Sequence, residues 1–189
     1  MKVIQLHQEE KQLIMLAVEN NRQAQQQIYA NFSSKMLSVC RQYIKDIHHA
    51  EDVMITGFMK VFTNIKKFEH KGSFEGWIRR IMIYECIDFI RVKKNNFNHQ
   101  DLDDVTVSEN ESVYEMEDFS VDDIQNMIDN LPDGYKMVFN LYAIEGYKHQ
   151  EIAEMLKIGQ GTSKSQLSNA RKLLQQQITE LKKKLNGTK

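Results

Sequence analysis

The final third of the chain holds the side chains best suited to recognising another macromolecule. In the stretch HQEIAEMLKIGQGTSKSQLSNARKLL, residues 149–174, hydroxyls, amides and cations recur at helical spacing. With about 100° of rotation per residue, Leu167, Ala170 and Leu174 fall on one side of a helix opened by Gly159 or Gln160. Ser165, Ser168 and Lys172 fall opposite, flanked by Thr162, Lys164 and Asn169. Lysine ammonium groups pair with phosphate oxygens, while serine and asparagine donate to and accept from base edges or backbone oxygens. A helix of ordinary width fits the major groove of DNA. The chemistry on offer is duplex recognition, although the same spacing also occurs in helical cores that touch no nucleic acid.

A second constellation lies upstream in FEGWIRRIMIYECIDFIRVKK. With Arg80 at zero, Trp77 falls near about 60°, Tyr84 near about 40° and Arg91 near about 20°. Two aromatics and two arginines thus share one stripe, and Ile78, Met82, Ile83, Cys86, Phe89 and Ile90 occupy most of the remainder. Interleaved rings and cations make a platform for unpaired bases, each stack contributing about 1–3 kcal/mol. The alternative is that Trp77 completes the core and Tyr84 alone faces solvent.

Both constellations need helices to hold them, and the rest of the sequence supplies helices. One proline and eight glycines in 189 residues suit a helical protein with short connections. In the first part, Leu13, Leu16 and Ala17 mark an opening helix, and Ile28, Tyr29, Phe32, Met36, Val39, Cys40 and Tyr43 a long second one. A third carries Val53, Phe58, Val61, Phe62 and Ile65, and a fourth follows Gly72 with Ser73 as its cap. In the last part, Ile124, Met127, Ile128 and Leu131 form one stripe, and Met137, Val138, Leu141 and Tyr142 another. LPDG and EGY read as turns. Ile152, Ala153 and Leu156 line the first helix of a helix-turn-helix, KIGQ is its turn, and Ile158 fills the gap between its helices.

The net charge of −1 conceals a segregated pattern. Residues 1–94 hold 15 Lys+Arg against 10 Asp+Glu, residues 95–134 none against 12, and residues 135–189 10 against 4. The acidic middle, with low hydrophobicity and no cation, cannot bury enough surface to offset its ordering entropy and reads as a flexible linker. It is either a solubilising tether or an imitation of a nucleic-acid backbone. The expected fold class is all-α, with two small helical domains at 1–94 and 121–189 joined by the acidic linker at 95–120.

Other chemistry finds little support. Cys40 and Cys86 have no C-x-x-C partner and sit among apolar residues, as buried free thiols do. His48 and Asp52 are one helical turn apart without a third ligand at a sensible spacing, so no metal is expected. No P-loop, nucleophile elbow or paired-carboxylate cleft is present, and neither a catalytic site nor a cofactor is expected. No apolar run approaches the roughly 18 residues of a membrane span, and the start lacks the layout of a signal peptide; the expected location is the cytoplasm.

Two longer motifs carry a family resemblance. AEDVMITGFMKVFTNIKKFEHKGSFEGWIRRI resembles region two of bacterial sigma-70 family factors, and IDNLPDGYKMVFNLYAIEGYKHQEIAEMLKIGQGTSKSQLSNARKLL resembles region four. With only the acidic segment between them, the layout is similar to that of the extracytoplasmic-function (ECF) group. The resemblance implies that Asp52 and Phe58 lie in the segment docking on the coiled coil of the polymerase β′ subunit. Ser73, Phe74, and the stripe Trp77, Arg80, Tyr84 and Arg91 match the part that reads and opens the minus-ten element. Thr162, Lys164, Ser165, Ser168, Asn169 and Arg171 match the helix that reads the minus-thirty-five element, and the linker would run towards the polymerase active centre.

The chain departs from the family pattern in places. Ile55 and Thr56 stand where relatives usually carry Gln-Glu, Tyr84 where Asn is usual, Gly159 where Ser caps the reading helix, and Gln166 where Arg is usual. The expected function is a non-catalytic initiation factor that binds core RNA polymerase through β and β′ and directs it to promoter DNA, with an anti-sigma protein as a further partner. The rivals are a stand-alone helix-turn-helix regulator and a sigma-like decoy for an anti-sigma protein.

Overall fold

The computed structural model describes residues 2–96 and 120–186, and no strand occurs among them. Its contacts divide the chain into two compact units, Met1–Val92 and Lys93–Lys189. Most of the expected linker, residues 97–119, lies outside the described residues.

The first unit is built from α1 (Lys2–Val18), α2 (Arg22–Tyr43), α3 (Ile47–Asn64) and α4 (Phe74–Asn96), with a 3-10 turn at Ile65–Lys67. Local chemistry sets each helix start. The Asn21 side chain accepts from the Ala24 amide at 3.0 Å, Asp46 from the His49 amide at 2.9 Å, and Ser73 from the Gly76 amide at 3.0 Å. Each satisfies an amide that has no partner within the helix. The expected stripes converge on one core that includes Ile28, Met36, Val39, Cys40, Val61, Phe74, Ile78, Met82 and Ile83. On α1 the inward residues are Ile14 and Ala17, whereas Leu16, expected inside, is exposed. Cys40 and Cys86 are free and buried. The hydrogen-bonded Cys40 thiol, together with burial, pushes the Cys86 thiol well above its usual range, so Cys86 stays protonated.

Gly57 on α3 faces Met82 of α4. A Cβ there would overlap Met82 Sδ and lie 3.0 Å from its Cε. Gly57→Val must displace the buried Met82 thioether and should destabilise the unit by about 1–3 kcal/mol. A lowered midpoint in urea denaturation is the check; an unchanged midpoint means that Met82 swings aside at no cost.

The second unit contains α5 (Val121–Asp129), α6 (Asp133–Phe139), a π-turn at Asn140–Ile144, α7 (His149–Leu156) and α8 (Gln160–Asn186). A capping box opens α5: the Asp123 amide donates to Ser120 Oγ at 3.1 Å and the Ser120 amide to Asp123 Oδ2 at 3.1 Å. Pro132 precedes α6, so Asp133 and Gly134, expected in a turn, already belong to the helix. Leu131, Met137, Val138, Leu141, Ile152, Met155, Leu167 and Ala170 form the core. Met155 takes the inward position expected of Leu156, which is half-buried.

Two features were not anticipated. Lys136 Nζ lies 3.4 Å from Asp129 Oδ1 with both residues buried, so one cation of the local surplus is neutralised internally. Tyr142, expected on the inward stripe, is exposed. It lies within the π-turn, whose Glu145 amide donates to the Asn140 carbonyl at 3.0 Å, five residues back.

Candidate nucleic-acid interface

Within the expected KIGQ turn, Lys157 is the left-handed residue, with a φ of 56°. Its amide donates to the Ala153 carbonyl and closes α7. The Ser163 amide donates to the Gly159 carbonyl at 3.0 Å, which makes Gly159 the entry to α8. Gly tolerates a cap position with a loss of only a few tenths of a kcal/mol.

With Ser163, Leu167 and Ala170 locked inside, the opposite arc of α8 stands in solvent. Thr162, Lys164, Ser165, Ser168 and Arg171 are exposed, and Lys172 is half-buried. Ser165 Oγ donates to the Thr162 carbonyl at 3.0 Å, so towards a ligand it presents acceptor lone pairs. Asn169 differs from the rest: it is half-buried, and its amide donates to the Tyr135 hydroxyl at 3.3 Å, tying α8 to α6. Gln166 also turns inwards, with its amide beside Gly134. A shorter neutral side chain at this position covers α6 rather than reaching into a groove.

Lys164 is exposed near the start of α8. Lys164→Ala should weaken binding to a minus-thirty-five duplex and reduce the dependence of log K on log salt by about 1, the signature of one lost phosphate contact. An unchanged slope would take Lys164 off the DNA backbone.

On α4 the aromatic and basic stripe separates into layers. Phe74 is 1% exposed, its ring edge-on to Phe32 at 5.9 Å. It is part of the core in this conformation. Trp77 is half-buried, stacked on Phe74 at 5.8 Å and 15° and tilted against Phe68 at 5.6 Å. Of the two readings left open for Trp77, its packing in an aromatic cluster is observed, with the rest of the ring at the surface. Arg80 lies over the Tyr84 ring at 5.9 Å, and Tyr84 is 37% exposed. Arg91 pairs with Asp88 at 2.9 Å. Ser73 is exposed, its hydroxyl serving the helix cap.

The third set sits on α3. Asp52 and Ile55 are exposed, whereas Phe58 is buried, edge-on to Tyr29 at 4.8 Å and stacked near Phe62 at 6.1 Å. Phe58 therefore supports the surface from below. Sequence reasoning missed Met59, which is 67% exposed beside Ile55 at 50%. The spacing of four that puts the two side chains together was the available signal.

A helical protein of two units, one with a polar and basic arc on the second helix of a helix-turn-helix and the other with an aromatic-basic stripe, is of the DNA-reading class. Comparison with known proteins narrows this. The sigma-70 region 2 profile matches residues 28–96, and the sigma-70 region 4 profile matches residues 121–174. The chain is 30% identical over 164 residues to the ECF RNA polymerase sigma factor SigW of Bacillus subtilis, covering 79% of this chain and 86% of that protein. It is 28% identical over 137 residues to the RNA polymerase sigma factor SigV of the same organism, covering 72% and 80%. The fold is similar to that of the Bartonella quintana sigma factor RpoE, solved with the anti-sigma factor NepR, at a TM-score of 0.54 and 19% identity, covering 82% of this chain and 96% of that one. The chain belongs to the ECF sigma factors of the sigma-70 family.

No helix among the described residues is long and apolar enough to cross a membrane.

Proposed function

We propose that this sigma factor binds core RNA polymerase through the exposed face of α3, around Asp52, Ile55 and Met59, and directs the enzyme to promoters with two DNA-reading surfaces. Thr162, Lys164, Ser165, Ser168, Arg171 and Lys172 on α8 meet the minus-thirty-five duplex, and Asn169 supports them through Tyr135. Trp77, Arg80, Tyr84 and Arg91 on α4 receive the minus-ten strand as it opens, with Ser73 and Phe74 fixing the start of that helix. The acidic residues between the two units occupy a basic channel of the polymerase until nucleic acid displaces them. Chemistry belongs to the core enzyme, the location is the cytoplasm, and an anti-sigma protein is the regulatory partner, as one is for the Bartonella factor.

The observation that carries this reading is the solvent-facing arc of α8, cationic and hydroxyl-rich, on a helix whose other side is held in the helix-turn-helix core. The order of the two family matches supports it. The test combines assembly and output. Gel filtration with core polymerase should give a shared peak, and run-off transcription from genomic promoters should depend on the chain. A stable free dimer that ignores the polymerase would favour the stand-alone regulator. Co-migration without any transcript, together with tight binding to an anti-sigma protein, would favour the decoy.

A further inference from the structure

Four residues of the second unit form a connected column that runs from a buried hydroxyl to the exposed arc of α8. Ser163 is 0% exposed, and its Oγ lies 2.9 Å from His149 Nδ1. That bond fixes the imidazole at the start of α7. The imidazole stacks on the Tyr142 ring at 4.7 Å and 22°. The same Tyr142 ring lies under the Arg171 guanidinium, 5.7 Å from its centroid. Three separate elements, the π-turn, α7 and α8, converge on one exposed arginine.

We propose that Tyr142 and His149 are positioning residues for Arg171, holding its guanidinium ready for a DNA phosphate. The inference rests on the reading that α8 meets duplex DNA, and it adds residues that do not themselves lie on the groove-facing arc. An arginine on an open helix surface samples many rotamers, and ordering it on DNA has an entropic cost. A ring beneath the guanidinium, attracted through its quadrupole, narrows those rotamers before the duplex arrives. Tyr142 can serve because it stands at the surface of the π-turn, and it stays in place because His149 is anchored to a buried hydroxyl.

The test uses holoenzyme reconstituted from the full chain and core polymerase, titrated with a promoter duplex that the wild-type holoenzyme recovers from genomic DNA. Arg171→Ala should weaken binding and lower the salt slope by about 1. Tyr142→Leu should weaken binding about 3-fold to 10-fold, the range expected for a lost cation–π contact, while Tyr142→Phe should bind as wild type. In a chain already carrying Arg171→Ala, Tyr142→Leu should have no further effect. Equal losses from Tyr142→Leu in both backgrounds, or no loss in either, would overturn the proposal, because a purely structural tyrosine does not depend on Arg171. Arg171→Lys tests the idea without touching the tyrosine. It should keep the salt slope yet bind more weakly, since an ammonium keeps the charge and loses the planar stack; binding equal to wild type would count against positioning. If the wild-type holoenzyme recovers no promoter at all, the reading of α8 fails first, and the inference with it.

Discussion

Met59→Glu should release the chain from core polymerase without unfolding it. Ile55 and Met59 are 50% and 67% exposed, one turn apart on α3. Single exposed apolar residues are ordinary, but here the surrounding polar groups are turned away. Thr56 Oγ donates to the Asp52 carbonyl at 2.9 Å and Thr63 Oγ to the Met59 carbonyl at 2.8 Å, so both hydroxyl protons are satisfied within the helix. Beneath them Phe58 is braced by Tyr29, itself 38% exposed. The result is a firm apolar patch. It lies where the family pattern usually has a polar pair, at Ile55 and Thr56, so on the proposed dock this chain would replace directional contacts with burial. Covering what remains exposed of these two side chains is worth about 1–2 kcal/mol each. A carboxylate placed among them loses that gain and adds a desolvation penalty, so affinity for core enzyme should fall at least about 100-fold, or about 2.7 kcal/mol. Competition with the unaltered chain for core polymerase measures it. The thermal midpoint should not move, because Met59 contributes nothing to the core. Undiminished competition by the variant would place the polymerase dock elsewhere.

Sequence periodicity was sufficient for the helices and most of the core, because burial and spacing are coupled wherever a helix packs on one side. Ile28, Met36, Val39 and Cys40 on α2, and Ile152 and Leu167 in the helix-turn-helix, are inside as the three-and-four spacing requires. Periodicity loses its grip where the backbone leaves the regular helix. Tyr142 was misassigned at the edge of its stripe, in a π-turn that nothing in NLYAI announces. The turn at KIGQ was legible, but not that Lys157, a non-glycine, is its left-handed residue. Likewise Lys136 counted towards a basic surface, although a buried Asp129 seven residues earlier neutralises it. Charge totals cannot register such pairings.

The candidate site was legible as a set of residue types and less so as a set of roles. The exposed arc of α8 follows from spacing alone, yet Asn169 binds Tyr135, and Phe58 and Phe74 lie under the surfaces to which the family pattern assigns them. Those aromatic residues shape a surface by supporting it. Cross-element contacts of this kind, between residues distant in sequence, become visible only once the helices are packed.

The same layering makes Tyr84 the cleaner probe of strand opening. Trp77 is stacked on Phe74 and tilted on Phe68, so Trp77→Ala removes core packing as well as any stacking surface. A defect in that variant would mix lost stability with lost function. Tyr84 has a different environment: it is 37% exposed, and the ring contact recorded for it is with the Arg80 guanidinium. Replacing it should leave the fold intact while removing a ring on which an unpaired base can lie, worth about 1–3 kcal/mol. Tyr84→Ala should therefore reduce the open-complex equilibrium about 5-fold to 150-fold, leave closed-complex affinity close to wild type, and preserve the thermal midpoint. Permanganate reactivity of unpaired thymines reports the first, and gel shift at low temperature the second. Tyr84→Phe keeps the ring and the cation–π contact and should open promoters normally. Equal losses in the open and closed assays, or loss in the Phe variant, would show that the ring serves the protein's own packing or donates through its hydroxyl, and that the minus-ten strand stacks elsewhere on α4.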